Sequence, residues 1–150
     1  MSRGKIFFGV LFGCSMLLVS SHLFAQADVS EKRQKLMKSN GEATKAIKAA
    51  AEAKDYGTIE AKAKDIMANG DKILDFFPKG STQGKTKAKP EIWEKWDDFS
   101  KQPAGVKKAA SELAAAAKAK DDAAITVKVK ALGDACASCH KVFRAEKYAE

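Results

Sequence analysis

The sequence predicts an all-α protein, an antiparallel up-down-up-down four-helix bundle, on three observations. Apolar residues recur at spacings of three and four along most of the chain. Ala and Lys dominate, β-branched residues are few, and no segment alternates apolar and polar over strand length. The connectors around residues 52–56 and 119–121 are short, and short links force sequential helices to run antiparallel.

The first helix is read from Val29, Leu36, Ala43, Ile47 and Ala50, with Asp28-x-x-Glu31 as its expected N-terminal cap. The second is read from Ile59, Ala63, Ile66, Ile73 and Phe77 and is stopped by Pro78. Residues 78–90, rich in Gly and Lys, read as a loop. The third helix takes Ile92, Trp96, Phe99, Val106, Ala110, Leu113 and Ala117 as its buried stripe, with a kink or break expected at Pro103. The fourth takes Ile125, Val129, Leu132, Cys136, Cys139 and Phe143, with Asp121 or Asp122 as its cap.

The chain has 150 residues, 45% apolar and 31% charged, with 10 Gly and 3 Pro. That is one domain with material for a core, and it excludes a collagen-like, low-complexity or disordered protein. The net charge of +8 admits an anionic partner. The lysines are interleaved with Glu and Asp and read as solvated helix faces, so no nucleic-acid partner is expected.

Residues 1–27 have the pattern of a cleaved secretory signal. Arg3 and Lys5 precede an apolar run over residues 6–19, and Ala25-Gln26-Ala27 supplies the small residues of a cleavage site. A transmembrane anchor and a lipid-modified start at Cys14 are the competing readings; the A-x-A ending directly after the run favours cleavage, and no stable membrane anchor is expected. The mature domain is then 28–150. The removed segment carries two of the 27 basic residues and none of the 19 acidic ones, leaving 25 against 19. Two cysteines, one histidine and two methionines, Met37 and Met67, remain.

Cys136-Ala137-Ser138-Cys139-His140 is C-x-x-C-H, the attachment signature of c-type haem. Residues i, i+3 and i+4 share one helix face, so two thiols reach the two vinyl groups of one porphyrin and the imidazole reaches its iron. A structural zinc site wants four ligands, and His140 is the only histidine after residue 27. A thioredoxin-like dithiol wants a βαβ context, which the helical pattern lacks. An exported chain suits covalent attachment of one haem c, which is carried out beyond the cytoplasm, and the periplasm is the expected location. With a single histidine a bis-His haem within one chain is impossible, and methionine is the obvious second axial ligand of an electron carrier. Met37 lies nine residues after Asp28 and His140 ten before Glu150. At 1.5 Å per residue both sit roughly 14–15 Å from the same end of an antiparallel bundle. Height alone leaves Met67 open. Arg33, one turn before Met37, offers a guanidinium for a haem propionate, whereas Met67 is flanked by Asp71.

These residues resemble the class II c-type cytochromes, the cytochrome c′ family and its low-spin relatives. The resemblance rests on Arg33-Gln34-Lys35-Leu36-Met37-Lys38, on Lys89-Pro90-Glu91-Ile92-Trp93 and on CASCHKVFR at 136–144. It implies thioether cysteines at Cys136 and Cys139, His140 as proximal ligand, Arg144 as the basic residue beside the proximal face, Met37 at the distal position and Arg33 near the propionates. Low-spin members use a distal Met as sixth ligand, and the Leu36-Met37-Lys38-x-Asn40-Gly41 run is more like theirs. High-spin members leave the iron five-coordinate and bind NO or CO. The leading expectation is therefore a periplasmic carrier of single electrons between redox-partner proteins, and the alternative a five-coordinate gas-binding protein. Neither is an enzyme, and a haem peroxidase is disfavoured because no second histidine stands ready as a distal acid or base. The resemblance also implies a homodimer through the first two helices, although low-spin members occur as monomers.

Overall fold

The computed structural model describes residues 15–82 and 84–148, with side chains from residue 28 onward. Four long helices form the bundle: α1 (Ser15–Glu52), α2 (Tyr56–Lys72), α5 (Gln102–Lys118) and α6 (Asp122–Phe143). Between α2 and α5 lie a 3-10 turn (Leu74–Phe76), an irregular loop and two one-turn helices, α3 (Glu91–Glu94) and α4 (Trp96–Phe99). Helix α1 packs on α2 and α6, and α5 on α2 and α6, closing the ring of four. Among the described residues no helix is long and apolar enough to cross a membrane. The expected signal segment, residues 1–27, lies largely outside the described residues.

The expected stripes are buried nearly throughout, in two clusters. Ala43, Ile47, Ile59, Ala63, Ile66, Ala110, Leu113, Ala117, Ile125 and Leu132 form one along the bundle. Its many alanines let the backbones come close. Leu36, Ile73, Phe77, Ile92, Phe99 and Phe143 form the second, aromatic cluster at the end where α6 finishes. There Phe99 sits 4.8 Å from Phe77 and 5.2 Å from Phe143, ring to ring.

The opposite end is closed by two matching turns. Lys54 (φ 54°) and Lys120 (φ 55°) hold the left-handed conformation just past α1 and α5. Asp55 N–H donates to Ala50 O at 2.8 Å and Asp121 N–H to Ala116 O at 3.1 Å, the long bonds of Schellman caps. Asp55 and Asp121 then cap α2 and α6 through their carboxylates. Asp122 accepts from Lys54 Nζ at 2.6 Å and Tyr56 Oη at 2.9 Å, pinning the α1–α2 turn to the start of α6.

Two local expectations are corrected and a third is extended. Asp28 does not start a helix here, because α1 runs through it from Ser15. The third helix is broken next to Pro103, as expected, but it is also broken at a second point that no proline marks. Pro103 sits in the first turn of α5, where its missing N–H costs nothing, and the breaks lie before it, one of them at Lys95 (φ −117°, ψ 47°). Trp96, expected in the core, is 38% exposed, because the break at Lys95 takes its position off the stripe that Ile92 begins.

Candidate haem site

The C-x-x-C-H run occupies the last turns of α6, and burial of Ile125, Leu132 and Phe143 fixes which face of that helix looks inward. Cys139 and His140 line a cavity of about 100 Å³ at the aromatic end of the bundle. Helix α1 supplies the facing wall with Arg33, Gln34 and Met37. Phe77, Ile92, Phe99 and Phe143 make an apolar wall, and the loop contributes Thr86, Lys87 and Ala88. Arg144 completes the lining; its N–H caps α6 on His140 O at 3.1 Å, and its backbone pairs with Ala88.

Five of the six residues singled out in the sequence, Arg33, Met37, Cys139, His140 and Arg144, thus meet around one space. Cys136 is one turn back on the same helix, half-buried against the alanine-rich core. Met67 also packs against that core and takes no part in the cavity.

Burial pushes the Cys136 thiol up, and burial together with the neighbouring Cys136 pushes Cys139 up to about 11, so both are neutral thiols at pH 7. Burial, then the nearby Arg144 charge, lowers His140, which keeps the imidazole in the neutral form that ligates a metal. Among the described residues no three His, Cys, Asp or Glu side chains gather as a metal cage.

Arg33 gives an independent test of what the cavity takes. Its side chain is almost wholly buried, with Nη2 donating to Ser81 O at 2.8 Å and Nη1 to Ser81 Oγ at 3.2 Å. The guanidinium lies 4.9 Å from the Phe77 ring centroid and 5.9 Å from that of Trp93. Among the described residues no carboxylate pairs with it, and its Nε is a buried nitrogen with no hydrogen-bond partner. A desolvated cation with an unused donor is costly unless an anion completes it. A carboxylate-bearing, otherwise apolar ring system satisfies this donor set, and haem is one. Thiols, imidazole, apolar walls and unfilled cation all fit the same group.

Sequence reading did not find Ser81 or the loop wall at residues 86–88. Neither carries a local signal, since a serine in a Gly- and Lys-rich loop is unremarked until the fold sets it against Arg33, 48 residues earlier.

A family model described as Cytochrome C' matches residues 28–144. The cytochrome c-556 of Agrobacterium fabrum is 33% identical over 141 residues, covering 92% of both chains. A cytochrome c′ of Rhodopseudomonas palustris is 37% identical over 139 residues, or 88% of this chain and 92% of that one. The solved structure of cytochrome c prime from Shewanella frigidimarina superposes with a TM-score of 0.74 at 27% identity, covering 81% of this chain and 97% of that one. The chain belongs to the cytochrome c′ family of class II c-type cytochromes, four-helix bundles with covalently attached haem c.

Proposed function

We propose that the mature chain, residues 28–150 after removal of 1–27, is a periplasmic carrier of single electrons. One haem c is joined to Cys136 and Cys139, with His140 and Met37 as axial ligands. The observation that supports this most is the placement of Met37. It stands on α1 at the cavity that His140 enters from α6, while the other methionine of the mature chain is packed elsewhere. A haem bound there supplies a ferric/ferrous couple. The chain holds that group between fixed walls. Neutral His140 presents a lone pair from a capped helix end, Met37 brings a thioether, and Arg33 offers Nε–H to a propionate. Phe77, Ile92 and Phe99 exclude water, so little polar surrounding has to reorganise when the charge changes.

A second reading has one observation in its favour: Met37 is only half-buried, and the wall beside it is apolar, a setting that suits a neutral diatomic gas. In that reading Met37 only packs above the iron, and the site takes NO or CO. Absorption spectra of the ferric and ferrous holoprotein, with and without CO, decide between them. Low-spin spectra that CO leaves unchanged are expected. A high-spin ferrous form that takes up CO at once overturns the Met37 ligation and puts the gas-binding reading in its place.

A further inference from the structure

The net charge of the mature chain is concentrated in space in a way that its sequence order conceals. Residues 79–89 and 141–148 hold seven basic residues and one acidic one. The rest of the mature chain holds 18 of each. Elsewhere lysines pair with carboxylates, as Lys64 does with Glu60 and Lys128 with Glu112. The fold brings the two basic segments side by side. Ala145 N–H donates to Lys87 O at 2.8 Å, Lys89 N–H to Phe143 O at 3.0 Å and Lys87 Nζ to Glu146 O at 2.7 Å. The ammoniums of Lys85 and Lys87 lie 4.9 and 4.8 Å from the centroid of the Tyr148 ring. Of the seven cations only Lys89 has a carboxylate partner among the described residues, Glu91 at 3.2 Å. Lys87 and Arg144 also line the haem cavity, so the patch is the rim of its mouth.

We propose that this rim is the docking surface for an acidic face of a redox-partner protein, and that electrons enter and leave the cavity on this side. The inference rests on the electron-carrier reading. Like charges packed around one aromatic ring without counter-charges repel, and an acidic partner relieves that repulsion while steering its own approach. The alternative anionic surface is a lipid headgroup layer. The rim shows only Val142 and Tyr148 as exposed large apolar residues, too little to insert into a bilayer, which favours the protein partner.

The test is oxidation of the ferrous holoprotein, followed by stopped flow over a range of salt, with two probes of opposite charge. One electron leaves the protein and reduces either hexacyanoferrate(III) or tris(phenanthroline)cobalt(III). For the wild type the rate with the anion is expected to fall roughly tenfold as salt rises from low to physiological, and the rate with the cation to rise. Lys85→Glu/Lys147→Glu is expected to abolish most of both slopes with an unchanged haem spectrum; Lys85→Gln/Lys147→Gln is expected to lower them by about half. Lys118→Glu/Lys120→Glu changes the net charge equally at the other end of α5. That site is about 25 Å away, beyond a Debye length of roughly 10 Å, and both slopes should persist. Absence of salt dependence in the wild type, or equal effects of the two Glu pairs, overturns the rim while fast exchange with both probes leaves the carrier reading standing. Slow exchange with both probes, together with CO uptake, removes both. Cosedimentation of the wild type, but not of Lys85→Glu/Lys147→Glu, with vesicles of 30% phosphatidylserine at physiological salt assigns the rim to a membrane and overturns the protein partner.

Discussion

Arg33 and Ser81 form a latch: the buried guanidinium on α1 donates to both the backbone and the side-chain oxygen of a serine in the loop after α2. Ser81 Oγ in turn donates a hydrogen bond to Pro78 O at 2.8 Å, so the hydroxyl both accepts and donates. The latch fixes the Arg33 side chain with Nε left over, and it fixes the loop that walls the cavity at residues 86–88. A single buried contact thus sets both the positive charge at the cavity and one side of its wall.

Replacing Ser81 with Ala removes one acceptor from a buried cation while keeping the backbone one. The loss is expected to be about 1–3 kcal/mol of folding free energy. Urea unfolding of the holoprotein measures it. A midpoint unchanged from wild type means that water completes the guanidinium and the latch has no hold on the loop.

Arg33→Ala removes a positive charge from a desolvated site, and a nearby positive charge disfavours the ferric state. The reduction potential is therefore expected to drop, on the order of tens of millivolts. Redox titration at low salt checks it. Arg33→Lys should recover part of the drop, since charge is kept but the fork that grips Ser81 is not. A potential that does not move rejects the placement of Arg33 beside a propionate.

At the other end of the bundle, hydrogen bonds from Lys54 and then Tyr56 hold the Asp122 carboxyl below its usual range. A carboxylate whose folded pKa is depressed stabilises the fold above its unfolded pKa of about 3.9. That stabilisation fades as pH falls through the lower, folded value. Asp122→Asn is expected to lower the urea midpoint at pH 6 and to lose part of its pH dependence below pH 4. Parallel pH profiles for the two proteins would show that the group contributes no linkage.

Lys120 holds a left-handed backbone that a non-glycine residue adopts at a cost of about 1 kcal/mol. Lys120→Gly should therefore raise stability by about 0.5–1 kcal/mol, visible as a higher thermal midpoint. A lower midpoint would mean that chain entropy gained by glycine in the unfolded state outweighs the relieved strain.

Local rules carried the helices because each stripe repeats with the period of the element that buries it. Ile59, Ala63, Ile66, Ile73 and Phe77 are all buried in the expected order. The haem signature was equally legible, because C-x-x-C-H needs only one helix face. The division of the third helix was half legible. Pro103 announced a boundary, but the break at Lys95 has no proline or glycine to mark it, and with it went the placement of Trp96. Contacts between distant segments were not legible at all. Ser81 acquires meaning only against Arg33, and the basic rim forms only when residues 79–89 and 141–148 are laid together, which no scan along the chain for a charge block detects.

Met37 and Met67 make a matched pair for the ligation itself. Both are half-buried methionines on neighbouring helices, but Met37 lies on the cavity and Met67 against the alanine-rich core. A thioether on iron blocks the position a gas would take and allows both oxidation states to keep the same two ligands. Met37→Ala is therefore expected to turn low-spin spectra into high-spin ones and to admit CO readily, with a fall in potential as the ligand that favours ferrous iron is lost. Met67→Ala removes only packing. It should cost about 2 kcal/mol, near the lower bound for core truncation because the side chain is not fully enclosed, and leave spectrum and CO response as in the wild type. Met37→Leu separates ligation from bulk, since it keeps the volume and removes the sulfur. If Met37→Leu stays low-spin and refuses CO, the sixth ligand is not Met37.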